Sequence, residues 1–182
     1  NIKSILVMAD KVFTFNNVLP FHIVKTLLVI IPCLMAYGAL YYWLFKGVFR
    51  LSFAMFFILF YLGTCYLILK AMSVKVKIWF DENSFYLQKG NQSPEKYSKT
   101  EIEGFYAYDY ETKAPALQSS KIYFRFCLKN KTAIYLNDVE YRNKYEEEKG
   151  NELKKFIKSS QQELHFSKKE KKSLQNIYWY SK

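Results

Sequence analysis

Two stretches of the chain carry no charge. Residues 26–45 read TLLVIIPCLMAYGALYYWLF, 20 residues long, and residues 51–69 read LSFAMFFILFYLGTCYLIL, 19 residues long. A helix of about 20 residues spans about 30 Å, the hydrocarbon thickness of a bilayer. A core helix of a globular protein keeps a polar stripe, and these runs have none. Their polar members are Thr26, Ser52, Thr64, Cys and Tyr, which a helix in lipid tolerates. The pattern predicts a transmembrane helical hairpin over residues 23–71. Its turn is KGVFR (46–50), too short to recross a membrane, so the helices are antiparallel neighbours. Gly47 supplies backbone freedom there, while Lys46 and Arg50 reach headgroups. Tyr41, Tyr42 and Trp43 fall where an interfacial aromatic belt is expected. Pro32 predicts a kink, and Ala36, Ala39 and Gly63 predict close approach of the two helices.

From residue 73 the period changes to two. Val74, Val76, Ile78 and Phe80 alternate with Lys75, Lys77 and Trp79, and Phe85 and Leu87 continue the alternation after a DEN turn. Residues 89–95 (KGNQSPE) read as a longer turn. Ile102, Phe105 and Ala107 open another strand zone, with Tyr106, Tyr108 and Tyr110 opposite. Residues 111–120 read as a loop. KIYFRFCLKN and TAIYLND then form a hairpin across KNK (129–131), with Tyr123 and Arg125 on its polar face. From Glu146 the period is helical: Leu153, Phe156, Ile157, Ser160 and Leu164 make one stripe. An antiparallel sheet of about five strands followed by one amphipathic helix buries its apolar face most simply under that helix. Residues 5–15 also alternate in part and are available to the same sheet.

Charge sharpens this division. Residues 1–70 hold six Lys/Arg and one acid, Asp10; residues 71–182 hold 21 Lys/Arg and 15 Asp/Glu. The first part is a basic-flanked apolar segment, the second a basic domain. Lys3, Lys11, Lys25, Lys70, Lys75 and Lys77 flank the open end of the hairpin, against Lys46 and Arg50 at the turn. That bias predicts both termini in the cytoplasm. The first apolar run starts too late and is too long for a secretory signal peptide. The organisation expected is an N-terminal cytoplasmic segment (1–22), the hairpin (23–71), a cytoplasmic domain (72–165) and a basic-aromatic tail (166–182).

The layout of two membrane helices in a tight hairpin, then meandering strands and a C-terminal helix, resembles bacterial YcxB-like proteins with a pleckstrin-homology-like domain. VKVKIWFDENSFYLQKG, KTEIEGFYAY and FCLKNKTAIYL followed by ELKKFI carry the resemblance. It implies an α+β fold, an antiparallel sheet or partial barrel with a C-terminal helix, and a full barrel of this kind needs seven strands. The alternation marks fewer, and residues 5–15 and 93–98 are the segments available to supply the rest. The resemblance implies no catalytic residue and no settled ligand.

Catalytic motifs are missing. The chain has no Gly-rich phosphate loop, no HExxH and no CxxC. Cys33, Cys65 and Cys127 lack metal spacing to one another or to His22 and His165, and read as small buried residues of a reducing compartment. His22 reads as interfacial and His165 as a helix-end residue. The acids Glu101, Glu103, Asp109 and Glu111 read as solvated strand edges or ion-pair partners. No enzyme activity, metal or cofactor is expected.

Two regions remain as binding candidates. Tyr106, Tyr108, Tyr110, Tyr123 and Tyr135, with Arg125, are expected on the outer sheet face. They are either covered by the tail or helix, or exposed as a partner-binding patch. In the tail, Lys168, Lys169, Lys171 and Lys172 with Tyr178, Trp179 and Tyr180 either engage anionic lipid, or form a solvated or packed terminal segment. Nucleic acid is not expected, since a tethered domain meets anionic lipid first. The Lys-, Asn-, Tyr- and Phe-rich composition fits an AT-rich bacterial genome. The reading is therefore a bacterial inner-membrane protein whose cytoplasmic domain binds a protein partner or lipid headgroups, with homo-oligomerisation available through the hairpin. The alternative is an immunity protein that neutralises a membrane-directed antibacterial toxin.

Overall fold

The computed structural model describes residues 11–110, 120–139, 146–171 and 176–182. The chain forms two compact units. One comprises Asn1–Phe21 with Val74–Lys182, and the other His22–Ser73.

The helical unit begins with a 3-10 turn, Ile23–Thr26, whose first N–H groups need an acceptor. His22 supplies it, its Nδ1 accepting from the Val24 N–H at 3.1 Å. Helices α1 (Leu27–Phe45) and α2 (Leu51–Met72) follow, 19 and 22 residues long. At 1.5 Å per residue they measure about 28 and 33 Å. Both are apolar on every side, and Cys65 is their single buried residue. The expected contact residues Ala36, Ala39 and Gly63 are exposed instead, and the space beside Gly63 is open. The contact stripe runs through Cys33, Tyr37, Tyr41 and Phe45, spaced by four, because aromatic rings reach the partner helix where methyl groups do not. Tyr41 packs on Phe57 with centroids 5.3 Å apart, and Phe45 on Phe53 at 4.9 Å. The Tyr37 hydroxyl shares a 2.7 Å hydrogen bond with Thr64 Oγ1.

The turn takes the left-handed conformation at Lys46 (φ 48°) and Gly47 (φ 81°). A residue at φ 81° strongly favours glycine, which accounts for Gly47. Tyr41 ties the turn down, its hydroxyl accepting from the Arg50 N–H at 2.9 Å. Tyr41 therefore closes the hairpin turn.

The second unit is one antiparallel sheet and one covering helix. Its strands are β1 (Val12–Leu19), β2 (Val74–Phe80), β3 (Ser84–Lys89), β4 (Glu95–Ser98), β5 (Ile102–Tyr108), β6 (Tyr123–Leu128), β7 (Ala133–Asp138), β8 (Ser167–Lys171) and β9 (Ile177–Ser181). The spatial order is β4-β3-β2-β1-β7-β6-β5-β9-β8. Residues 12–19 and 95–98 thus join the sheet; of the alternating stretch 5–15, residues 5–10 lie outside the described residues. Residues 166–182, expected as a tail, carry two further strands. SKKEK has the lysine-rich character of a strand that guards a sheet edge, which hides it from a search for apolar alternation.

The sheet is open, with β4 and β8 at its edges, and it does not close into a barrel. It is strongly bent all the same. Phe85 on β3 and Phe126 on β6 are four strands apart in the order, yet their rings lie 5.0 Å apart. Helix α3 (Glu147–Leu164) fills the concavity, burying Gly150, Leu153, Phe156, Ile157, Ser160 and Leu164. The stripe read from the sequence is this buried face. Phe156 lies at its centre, 5.1 Å from Phe13, 5.4 Å from Phe15 and 4.9 Å from Phe124.

At the β4 edge, Glu95 accepts from Lys89 Nζ at 2.8 Å and from the Tyr97 hydroxyl at 2.7 Å. Burial pushes its carboxyl up, but these hydrogen bonds and the lysine charge outweigh it and hold the group below the ordinary value of 4.5. A carboxylate with a lowered folded pKa stabilises the fold above its unfolded pKa, and loses that effect as pH falls through the lowered value. Glu95→Gln is expected to lower the thermal midpoint slightly at neutral pH and to match the parent in strong acid. An equal deficit at both pH values would contradict the role assigned to the pair.

Candidate functional site

Pairing of four strands assembles the site. On the outer face, Tyr106 is opposite Trp179 on one side and Arg125 on the other, and Arg125 is opposite Tyr135. The result is one continuous row, Trp179–Tyr106–Arg125–Tyr135, across β9, β5, β6 and β7. Directly opposed side chains are the pairs that interact most strongly in a sheet. The Tyr106 and Trp179 rings are 4.5 Å apart. The Arg125 guanidinium carbon is 5.6 Å from the Tyr106 ring centre and 5.4 Å from that of Tyr135, inside cation–π range on both sides. All four side chains are half-buried.

The neighbouring row places Tyr108 against Tyr123 at 5.3 Å. Burial raises the Tyr108 phenol, with a further push from Tyr123. Burial also raises Tyr123, partly offset by the Arg125 charge. The Cys127 thiol is pushed up by burial, pulled down by Arg125 and pushed up by Glu103. Arg125 is therefore the electrostatic centre of the face.

Tyr110 does not belong to it. The strand ends at Tyr108, alternation stops there, and the Tyr110 ring turns into the core, fully buried and 5.8 Å from Phe124. Its hydroxyl donates to Lys121 O at 2.5 Å and accepts from the Tyr123 N–H at 3.2 Å. Burial holds its phenol well above the ordinary range, so Tyr110 is a structural post.

The lysines expected at a membrane surface divide. Lys168 pairs with Asp109, whose side chain is 4% exposed, and its ammonium lies 4.1 Å from the Tyr178 ring centre. It is a structural cation. Lys169 is exposed, Lys171 ends β8, and Lys172 lies outside the described residues, as do Lys3 and Glu111. Tyr180 faces the core, stacked 4.8 Å from Phe105. Lys168→Met removes one cation from a buried carboxylate and is expected to cost about 2 kcal/mol, below the range for fully buried pairs because Lys168 is partly exposed. Unchanged chemical denaturation would make Lys168 a solvated surface residue.

Sequence reasoning missed the role of Gly104. A β-carbon there would lie 2.3 Å from Trp179 Cζ2 and 2.6 Å from the Tyr180 carbonyl. The glycine is the floor on which the Trp179 ring rests. A glycine inside a strand pattern is itself a signal of such close approach. Among the described residues no group of three or more His, Cys, Asp or Glu side chains is placed to hold a metal. No family model, curated protein or solved structure matches the chain.

Proposed function

We propose that this chain is a non-enzymatic binding module anchored in the bacterial inner membrane. In this reading α1 and α2 span the bilayer, and a cytoplasmic pleckstrin-homology-like domain presents the Trp179–Tyr106–Arg125–Tyr135 row to a protein partner. The observation that carries it is the distribution of exposed apolar side chains. Every large exposed hydrophobic among the described residues lies between Ile23 and Met72, with Leu28 and Trp43 each 75% exposed. Water does not tolerate an apolar surface of that extent, whereas lipid requires it.

Chain connectivity supports a span out and back. The strands on either side of the helices, β1 and β2, are hydrogen-bonded neighbours, with Val18 opposite Val74. Chain entering and leaving the hairpin thus belongs to one sheet and one side of the membrane. The six flanking lysines against two basic residues at the turn favour the cytoplasm as that side. Among the described residues seven strands precede α3, the number a full pleckstrin-homology barrel needs, although here they belong to an open nine-stranded sheet. Tyr, Trp and Arg dominate interface hot spots, which favours a protein over a headgroup as the occupant of the row. Engagement of Lys168 by Asp109 takes one cation from the lipid reading.

Expression followed by alkaline carbonate washing tests the anchor. The chain is expected to stay in the membrane pellet and to leave it only in detergent; release by carbonate would overturn the reading.

A further inference from the structure

We infer that Arg125 is an anion receptor on this face, and that its occupant is a carboxylate-bearing, otherwise apolar peptide segment of a protein partner. This deepens the docking reading above and rests on it. Arg125 stands on β6 with tyrosines opposite it on both neighbouring strands. Both rings flank the guanidinium at 5.4–5.6 Å, which holds a long side chain in one pose. The ion pairs described in this chain engage Lys89, Lys99, Lys149 and Lys168. None engages Arg125; its side chain is hydrogen-bonded to the Cys127 thiol, and its Nε is buried with no hydrogen-bond partner. Glu103 acts on Cys127 at the end of the face, yet forms no ion pair with Arg125 among the described residues.

A guanidinium is weakly hydrated, planar and always charged, and a carboxylate matches its fork with two parallel hydrogen bonds. The rest of the face selects the class of anion. Phosphorylated ligands are gripped by clusters of arginines, and here one arginine stands among Tyr106, Tyr123, Tyr135 and Trp179. One charge ringed by half-buried aromatics complements one carboxylate among apolar side chains.

The test uses the full-length chain in detergent and immobilised decapeptides. Each decapeptide sets one Asp or Glu among Leu, Val and Tyr, and is paired with its Asn or Gln counterpart. Retention on acidic members is expected to exceed that on the amides by about tenfold or more, as a charge-assisted hydrogen bond of about 1.5–3 kcal/mol requires. Arg125→Gln is expected to bring that ratio to about one. Arg125→Lys keeps the charge and loses the fork, and is expected to fall between; it carries the test if Arg125→Gln does not fold. Equal retention of acidic and amide members would overturn the inference. So would binding to phosphatidylglycerol vesicles that needs Arg125 while no peptide is retained. A photo-crosslinker at Tyr135 in native membranes reads the docking face separately. A protein adduct without acidic preference overturns the receptor and leaves the docking reading. No adduct and no retention overturns both.

Discussion

Phe156→Ala is expected to cost the sheet domain about 3–5 kcal/mol, the range for truncating a buried aromatic. Phe156 is fully buried, and its ring touches Phe13 and Phe15 on β1, Phe80 on β2, and Phe124 and Phe126 on β6. It is the point at which α3 joins both halves of the bent sheet. Removing the ring leaves a cavity that strands pinned by their own ladders cannot collapse into. The loss is comparable to a large fraction of the stability of a typical domain. Denaturant unfolding followed by tryptophan fluorescence reads it directly. A cost below about 1 kcal/mol would mean that α3 is not the element closing this core.

Gly104→Ala is expected to cost about 3 kcal/mol, at the upper end for overpacking. The added methyl meets two kinds of obstacle. The Trp179 ring, at 2.3 and 2.4 Å, can swing away at the expense of its contact with Tyr106. The Tyr180 carbonyl, at 2.6 Å, cannot move without opening the ladder that pairs Gly104 with Ser181. Adding Trp179→Ala should therefore recover only part of the loss, and the two changes should couple rather than add. Full recovery in the double variant would show that the backbone obstacle is unimportant. Tolerance of Gly104→Ala alone would place β9 differently from the arrangement described. Because Trp179 terminates the aromatic row, the same substitution is also expected to weaken peptide retention by the Arg125 face.

Elements whose burial is periodic or continuous were legible in the sequence. The helices follow from uncharged runs, and the buried face of α3 follows from the spacing of Leu153, Phe156, Ile157, Ser160 and Leu164. Strands β2, β3, β5, β6 and β7 follow from alternation. Elements whose reason lies in a distant partner were not legible. Strand β8 is lysine-rich because it ends the sheet, and β9 reads as an aromatic tail until Gly104 is seen to accept Trp179. Alternation placed Tyr106, Tyr123, Arg125 and Tyr135 on one face. It could not place them in one row, because a row depends on register between strands whose turns do not determine it. Tyr110 shows the limit of the parity argument: it holds only as far as the strand runs, and the strand ends two residues earlier. The small residues Ala36, Ala39 and Gly63 misled for a related reason, since the tyrosines at spacing four fill the helix contact.

Impermeant-maleimide labelling of single cysteines in intact cells tests the central claim most directly. With Cys33, Cys65 and Cys127 replaced, a cysteine at Val48 in the hairpin turn should label from outside. One at the exposed Lys129 in the β6–β7 turn should label only after the inner membrane is opened. Labelling at Lys129 with protection at Val48 would invert the topology, and protection of both or labelling of both in intact cells would contradict a hairpin that crosses the membrane and returns.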